Sequence, residues 1–323
     1  MATIRWGIIG CGDVTEVMSG PGFQKAKNSA LVAVMRRTGE LAADYAQRHH
    51  VPKWYDDAGL LINDPEVDAV YVATPPHAHC EYVEQVAAAG KPVYVEKPMA
   101  RSFAECQRMI DACAAASVPL WVGYYRRMLP KFRTVQTLLN EGAIGDIRTV
   151  AMKFSRPAPS NLDPANLPWR LVPEIGGSGL FRDIAAHRLD LLDMFLGPIS
   201  HVKGFARNQG GHYAAEDVVI STFTFESGVV GVGTWHFTSF DNVDLTVIEG
   251  TTGRIEYACF DQSPIVLTTS SGQRRIESPQ PPHVHQPLIQ TIVDELNGVG
   301  RCPSTGESGA RTSWVMDQML ADT

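Results

Sequence analysis

At 323 residues the chain is longer than one hydrophobic core usually covers, so two domains are expected. A hydrophobic share of 44% and a charged share of 20% describe an ordinary globular protein, and a net charge of -7 argues against a nucleic-acid partner. No run of about 18 apolar residues offers a membrane span, no signal peptide is expected before the first strand, and six cysteines without a CxxC pair read as free, mostly buried thiols of a reducing cytoplasm.

The apolar run Ile4–Ile9 leads into Gly10-Cys11-Gly12-Asp13-Val14-Thr15, a strand ending in a glycine turn that opens a helix. Gly10 permits the tight turn, and Gly12 lets the backbone approach a dinucleotide pyrophosphate. The helix start at Asp13 and Val14 offers N–H groups and a positive dipole end to that anion. Thr15 stands where Gly or Ala packs more closely. Such a turn is weak evidence alone, and its place after the first strand gives it weight.

Further apolar runs follow at Leu31–Met35, Ala69–Ala73, Val93–Val95 and Leu120–Val122. They alternate with helical stripes over Leu41–His50, Ala58–Asn63, Ala78–Ala89 and Phe103–Ala116. The alternation predicts parallel strands joined by crossover helices: an α/β, doubly wound dinucleotide-binding domain over residues 1–123. After Met35, where NAD-selective folds carry an acid for the ribose hydroxyls, stand Arg36 and Arg37. Guanidinium groups suit a phosphate, so NADP is favoured, with NAD possible; the alternative is a solvated pair at a helix start.

Past Ala73 comes Thr74-Pro75-Pro76-His77, a rim able to cover the adenosine-ribose side of a cofactor, with His79 counted among its contacts. No fourth ligand accompanies His77, His79 and Cys80, so no metal is expected. The next strand runs into Glu96-Lys97-Pro98. There Lys97 points into the crevice, able to hydrogen-bond the nicotinamide ribose and a substrate oxygen, and the proline can fix the turn through a cis bond. The bland alternative is a surface Glu-Lys pair.

The pattern then changes. A helix over Pro130–Glu141 precedes strand-like segments at Arg148–Phe154, His201–Ala206, Val218–Phe225, Val229–Phe237, Val243–Glu249 and Gly253–Tyr257. Short turns between them predict an antiparallel or mixed sheet, and so an α+β domain over residues 124–323. A long helix, Leu180–Leu196, interrupts the strands, and helices near Leu288–Asn297 and Ala310–Leu320 close the chain. The proline-rich stretch from Pro279 to Pro287 reads as a surface loop decorated by His283 and His285. On the long helix Asp183 and His187 are four apart and share a face, as an oriented acid/base unit or as a plain helix pair.

In this order the glycine turn, Thr74-Pro75, Glu96-Lys97-Pro98 and Gly176-Gly177…Asp183…His187 resemble the Gfo/Idh/MocA oxidoreductases across essentially the whole chain. Gly123 to Arg127 matches a family segment that often has Asn where Tyr125 stands, and Trp169-Arg170 matches a pair lying beside the cofactor in some members. The resemblance implies that Lys97, Asp183 and His187 converge on the nicotinamide from different domains. It implies that Glu96, Trp169 and Arg170 lie on the cofactor side, and that Tyr125 and Arg126 line the substrate. It further implies a large, open, mostly antiparallel sheet in the second domain, used for a homodimer or homotetramer. The expected activity is hydride transfer between the nicotinamide and a hydroxyl or carbonyl carbon of a sugar, cyclitol or related polyol, with His187 moving the proton. Alternatives are an NAD(P)-assisted glycosidase or lyase acting by transient sugar oxidation, and a non-catalytic cofactor-binding regulator.

Overall fold

The computed structural model describes every residue except 159, 161, 164, 322 and 323. The chain divides into two compact units, residues 1–128 with 281–310, and residues 129–280 with 311–323.

The first unit is built on six strands: β1 (Ile4–Ile9), β2 (Ser29–Met35), β3 (Lys53–Tyr55), β4 (Ala69–Val72), β5 (Val93–Val95) and β6 (Leu120–Val122). They lie in the order β3-β2-β1-β4-β5-β6, with every pair parallel. Strands β4, β5 and β6 are buried along their whole length, which is why they read as unbroken apolar runs. The intervening helices are α1 (Asp13–Val17), α2 (Gly20–Lys25), α3 (Gly39–Arg48), α4 (Ala58–Ile62), α5 (His79–Ala88) and α6 (Phe103–Ala115). Strand β3 escapes the sequence pattern because Lys-Trp-Tyr is a three-residue edge strand with no fully buried position. Strand order reverses between β1 and β4, so the carboxyl ends of those two strands mark the crevice where such sheets take a ligand.

Residues 281–310 pack in this unit although they follow the second sheet in sequence. The boundary expected at residue 123 thus gives way to a chain that leaves the first unit and returns to it. Ser304 receives the N–H of Val122 at its carbonyl and donates its hydroxyl to the carbonyl of Val122, while Thr305 bridges Trp121 antiparallel. Helix α10 is Gln286–Leu296 in the numbering of all helices, its stripe of Leu288, Ile289, Ile292 and Val293 buried. Pro287 belongs to the first turn of that helix and not to a loop, a position where its missing N–H costs nothing.

The second unit holds β7 (Ile147–Ser155), β8 (Ile199–Arg207), β9 (Val218–Phe225), β10 (Val230–His236), β11 (Val243–Gly250), β12 (Gly253–Tyr257), β13 (Ile265–Thr269) and β14 (Gly272–Ile276). Their order is β14-β13-β12-β11-β7-β10-β9-β8, antiparallel except for the parallel β7–β10 pair. The last two strands were absent from the sequence expectation; β14 is Gly-Gln-Arg-Arg-Ile, an exposed edge without an apolar face to betray it. Helices α7 (Pro130–Asn140), α8 (Pro173–Gly176) and α9 (Gly179–Leu196) accompany the sheet, and α11 (Gly306–Leu320) ends the described chain. Helix α9 lies on one sheet face: Phe181 meets the Trp235 ring edge-on at 5.2 Å, and the Arg188 guanidinium donates to the carbonyls of Lys153 at 3.1 Å and Leu245 at 2.5 Å.

All six cysteines are buried free thiols. Among the described residues no helix is long and apolar enough to cross a membrane, and no group of three or more His, Cys, Asp or Glu side chains could hold a metal ion.

Candidate active site

In the first unit the site is set by the ends of β1 and β4. Gly10 has φ of +91°, and a Cβ there would lie 2.9 Å from Thr74 Cγ2 and 3.0 Å from the Ala73 carbonyl carbon. The turn is thus folded directly onto the Thr74-Pro75 rim, bringing together two of the predicted cofactor segments. Gly12 differs. Its backbone is extended, and a Cβ there would find only the Gly10 carbonyl oxygen at 3.9 Å. Among the described residues no side chain comes within 4 Å of that position, so the backbone face at Gly12 is open.

Helix α1, carrying Asp13 and Val14, has five residues before the chain bends into α2 at Gly20. Thr15 is fully buried there. Its hydroxyl donates to the Gly12 carbonyl at 2.7 Å, satisfying the polar group that an Ala would not carry. A tighter approach falls at Gly20. A Cβ on Gly20 would lie 2.2 Å from the Thr15 carbonyl oxygen and 2.3 Å from Tyr45 Oη, which itself donates to that carbonyl at 2.8 Å. The Ser-Gly-Pro-Gly run was the available signal for Gly20.

Arg36 and Arg37 are both exposed at the carboxyl end of β2, and Arg36 Nη1 reaches the Cys11 carbonyl at 3.5 Å. The Arg36 guanidinium therefore sits beside the glycine turn. His77, exposed on the rim, has its pKa lowered by partial burial and then by the nearby charges of Arg101 and Arg37. His79 is completely buried, with Nδ1 3.1 Å from the Met99 carbonyl and Nε2 2.6 Å from the Thr74 carbonyl. Its place is beneath the rim, holding Thr74, and burial keeps its ring toward the neutral form.

Glu96 and Lys97 follow β5, and the Lys97–Pro98 peptide is cis. Glu96 is buried and accepts from the Tyr71 hydroxyl at 2.5 Å and from the Lys97 backbone N–H at 3.0 Å, so it is an interior carboxylate and not half of a surface pair. Tyr125 and Arg126, also buried, lie on a 3-10 turn, with the guanidinium carbon 5.2 Å from the Tyr125 ring centre. His285 corrects its expectation outright. It is completely buried, its ring 4.3 Å from that of Tyr125 and its Nδ1 3.1 Å from Tyr94 Oη. Burial, and then the charges of Lys97 and Arg126, push its pKa down to about 3, leaving the ring neutral. Nothing in the local sequence separates it from His283, which is only half-buried, because the helix it caps packs through tertiary contacts.

In the second unit, Gly177 with φ of +89° and Ser178 shape the entry to α9, where a Cβ on Gly179 would lie 2.7 Å from the Ala215 Cβ. Asp183 and His187 then fall one turn apart on the same helix face. The Asp183 carboxylate pairs with Arg170 at 3.3 Å, and that guanidinium stacks 4.3 Å from the Trp169 ring centre. Trp169, Arg170 and Asp183 are thus one group. His187 is buried, its ring edge-on to Phe260 at 5.8 Å. The next residue, Arg188, is the tether of α9 to the sheet, which locks the rotation of the helix and hence the direction of the Asp183–His187 face. Its charge was legible, its burial was not.

A parallel six-stranded sheet with a glycine turn at its switch point defines an NAD(P)-binding Rossmann unit, joined here to a mostly antiparallel sheet: the architecture of a two-domain dehydrogenase. A family model described as "Oxidoreductase family, NAD-binding Rossmann fold" matches residues 4–124, and one for the GFO/IDH/MocA C-terminal domain matches residues 132–256. The chain therefore belongs to the Gfo/Idh/MocA oxidoreductase family and is an NAD(P)-dependent oxidoreductase acting on CH–OH groups. It is 36% identical over 317 residues to Oxidoreductase P35 of Formosa agariphila, covering 97% of each chain. It is 28% identical over 328 residues to the 1,5-anhydro-D-fructose reductase of Ensifer adhaerens, covering 98% of this chain and 94% of the relative. The crystal structure of aldose-aldose oxidoreductase from Caulobacter crescentus, complexed with glycerol, superposes with a TM-score of 0.86 at 25% identity, covering 99% of this chain and 97% of that one.

Proposed function

We propose that the enzyme prefers NADP(H) and transfers a hydride to or from a hydroxyl or carbonyl carbon of a sugar, cyclitol or related polyol. The pair Arg36–Arg37 carries the cofactor preference. Both side chains are exposed where an acid would otherwise receive the ribose hydroxyls, and Arg36 already leans on the glycine turn. The residues fit a dinucleotide: Gly12 offers a backbone face unfilled by any side chain, and the rim at Thr74 and Pro75 stands opposite. The sugar or polyol class is supported by its similarity to an anhydrofructose reductase and an aldose-aldose oxidoreductase.

Bound here, the nicotinamide supplies a hydride acceptor or donor. Lys97 holds the substrate oxygen and stabilises negative charge as it develops there. His187 takes the hydroxyl proton in oxidation and returns it to the carbonyl in reduction, a role suited to an imidazole near neutral pH. Asp183 orients the imidazole or a neighbouring substrate hydroxyl, and its Arg170 partner holds that carboxylate in place. Tyr125, Arg126 and Trp169 complete the binding groups. Asp13, Val14, Glu96 and His79 support the nucleotide side, the last two from beneath.

We further propose a homodimer or homotetramer through the sheet face opposite α9. Phe205 and Ile220 are cross-strand partners on that face, and Val230, Val232 and Leu245 add exposed apolar area. The cofactor reading is tested by comparing NADP+ with NAD+ binding in the wild type and in Arg36→Glu/Arg37→Thr, followed by a sugar and polyol screen. Tighter binding of NADP+, reversed in the variant, is expected. Equal or tighter binding of NAD+ by the wild type refutes the preference.

A further inference from the structure

We propose that His285 is a positioning residue for Lys97, acting through the Glu96 carboxylate; this rests on the role given to Lys97 above. The observations all lie within the first unit. Tyr71 and Tyr94 are register partners on β4 and β5, their rings stacked at 4.6 Å. Tyr71 donates to Glu96 Oε1, and Tyr94 Oη faces His285 Nδ1, which also stands 3.6 Å from Glu96 Oε1. On another side, a Cβ on Gly123 would come within 2.9 Å of that oxygen, so the residue that follows β6 leaves it room. The carboxylate is thereby confined by a tyrosine hydroxyl, a glycine backbone and an imidazole. Its second oxygen, Oε2, accepts the backbone N–H of Lys97.

Confining Glu96 sets the direction of the Lys97 backbone, and with it the origin of a flexible four-carbon side chain. The protonation state matters as much as the contact. An imidazolium beside Glu96 would cancel the carboxylate charge that faces Lys97. Burial and the charges of Lys97 and Arg126 keep His285 neutral, so it supports the carboxylate without competing for it. His285 reaches this place because the return segment packs back on the first unit, its N–H donating to the Met18 carbonyl at 3.3 Å.

The test uses the full-length enzyme with its best substrate and NADP(H), comparing His285→Leu, His285→Asn and Tyr94→Phe. His285→Leu is expected to lower kcat by about 10- to 100-fold per folded molecule while KM for the nucleotide changes by less than about threefold. Asn, whose amide occupies the place of Nδ1, should restore most of that loss, and Tyr94→Phe should fall between. A second readout is independent of turnover: the pH profile of acetic-anhydride labelling at Lys97, followed by mass spectrometry, shifts in His285→Leu and not in His285→Asn. Wild-type kcat and labelling in the folded Leu variant overturn the proposal, as does an Asn variant as impaired as Leu. If Lys97→Ala keeps full turnover, the role of Lys97 falls, whereas a shifted Lys97 labelling profile would still uphold its coupling to His285.

Discussion

Alanine at Gly12 and alanine at Gly10 separate a residue kept for the ligand from one kept for the fold. At Gly12 the backbone is extended, with φ of −121° and ψ of −158°, and the nearest atom to a new Cβ is 3.9 Å away. Stability should therefore change by no more than about 0.5 kcal/mol. On the proposed cofactor placement the added methyl would stand in the path of the pyrophosphate, displacing charge-assisted hydrogen bonds worth about 1.5–3 kcal/mol each, so NADP+ should bind at least ~10-fold more weakly. At Gly10 the positive φ costs about 1–2 kcal/mol for an L residue, and the 2.9–3.0 Å contacts add an overpacking cost of about 1–3 kcal/mol. A loss of about 2–5 kcal/mol corresponds to a Tm lower by roughly 5–15 °C without nucleotide. Thermal unfolding and calorimetric titration of NADP+ measure the two effects. A Gly12→Ala protein that binds NADP+ as tightly as the wild type refutes the placement of the pyrophosphate on this turn.

His187→Ala should lower kcat by about two to four orders of magnitude, and an undiminished rate removes His187 as the general acid/base. Acid stability should depend on Asp64. Burial pushes this carboxyl up, but hydrogen bonds from Lys53 at 2.8 Å, the Glu66 N–H and Tyr55 outweigh it and hold the pKa at about 2. A carboxyl lower in the folded than in the unfolded chain contributes fully above pH ~4 and less as pH falls toward 2, about 2 kcal/mol in all. Asp64→Asn should lose that amount at pH 7 and show a flatter denaturation midpoint between pH 5 and 2; a parallel pH dependence in the two proteins counts against the network. Phe205→Glu with Ile220→Glu should shift sedimentation toward the monomer, and a wild type already monomeric at micromolar concentration would end the proposal for that face.

Much of the fold was legible because its strands are buried on both faces or on one. Runs such as Ala69–Val72 can be little else, and the helix stripes between them announce crossovers. Strands β3 and β14 were missed for the converse reason: edge strands owe their pairing to neighbours, not to an apolar period of their own, whereas β13 buries only Ile265 and Leu267, a period too short to stand out. The site divides the same way. Residues whose chemistry is tied to a local turn could be named from spacing, as with Gly10, Gly12, Lys97 and the Asp183–His187 pair. Those defined by burial could not: the local reading of Glu96 left a surface pair open beside the cofactor side that the family resemblance implied, and His285 read as loop decoration.

By itself, then, the order of residues determined the glycine turn, the alternation of strand and helix, the two arginines after β2 and the shared face of Asp183 and His187, because each depends only on neighbours within a few positions. Tertiary structure decided that residues 281–310 return to the first unit, that His285 reaches Glu96 as a neutral ring, and that Arg188 fixes α9 upon its sheet. Those outcomes depend on which surfaces meet and on how far water is excluded, and both quantities come into being only when segments distant in the chain pack together.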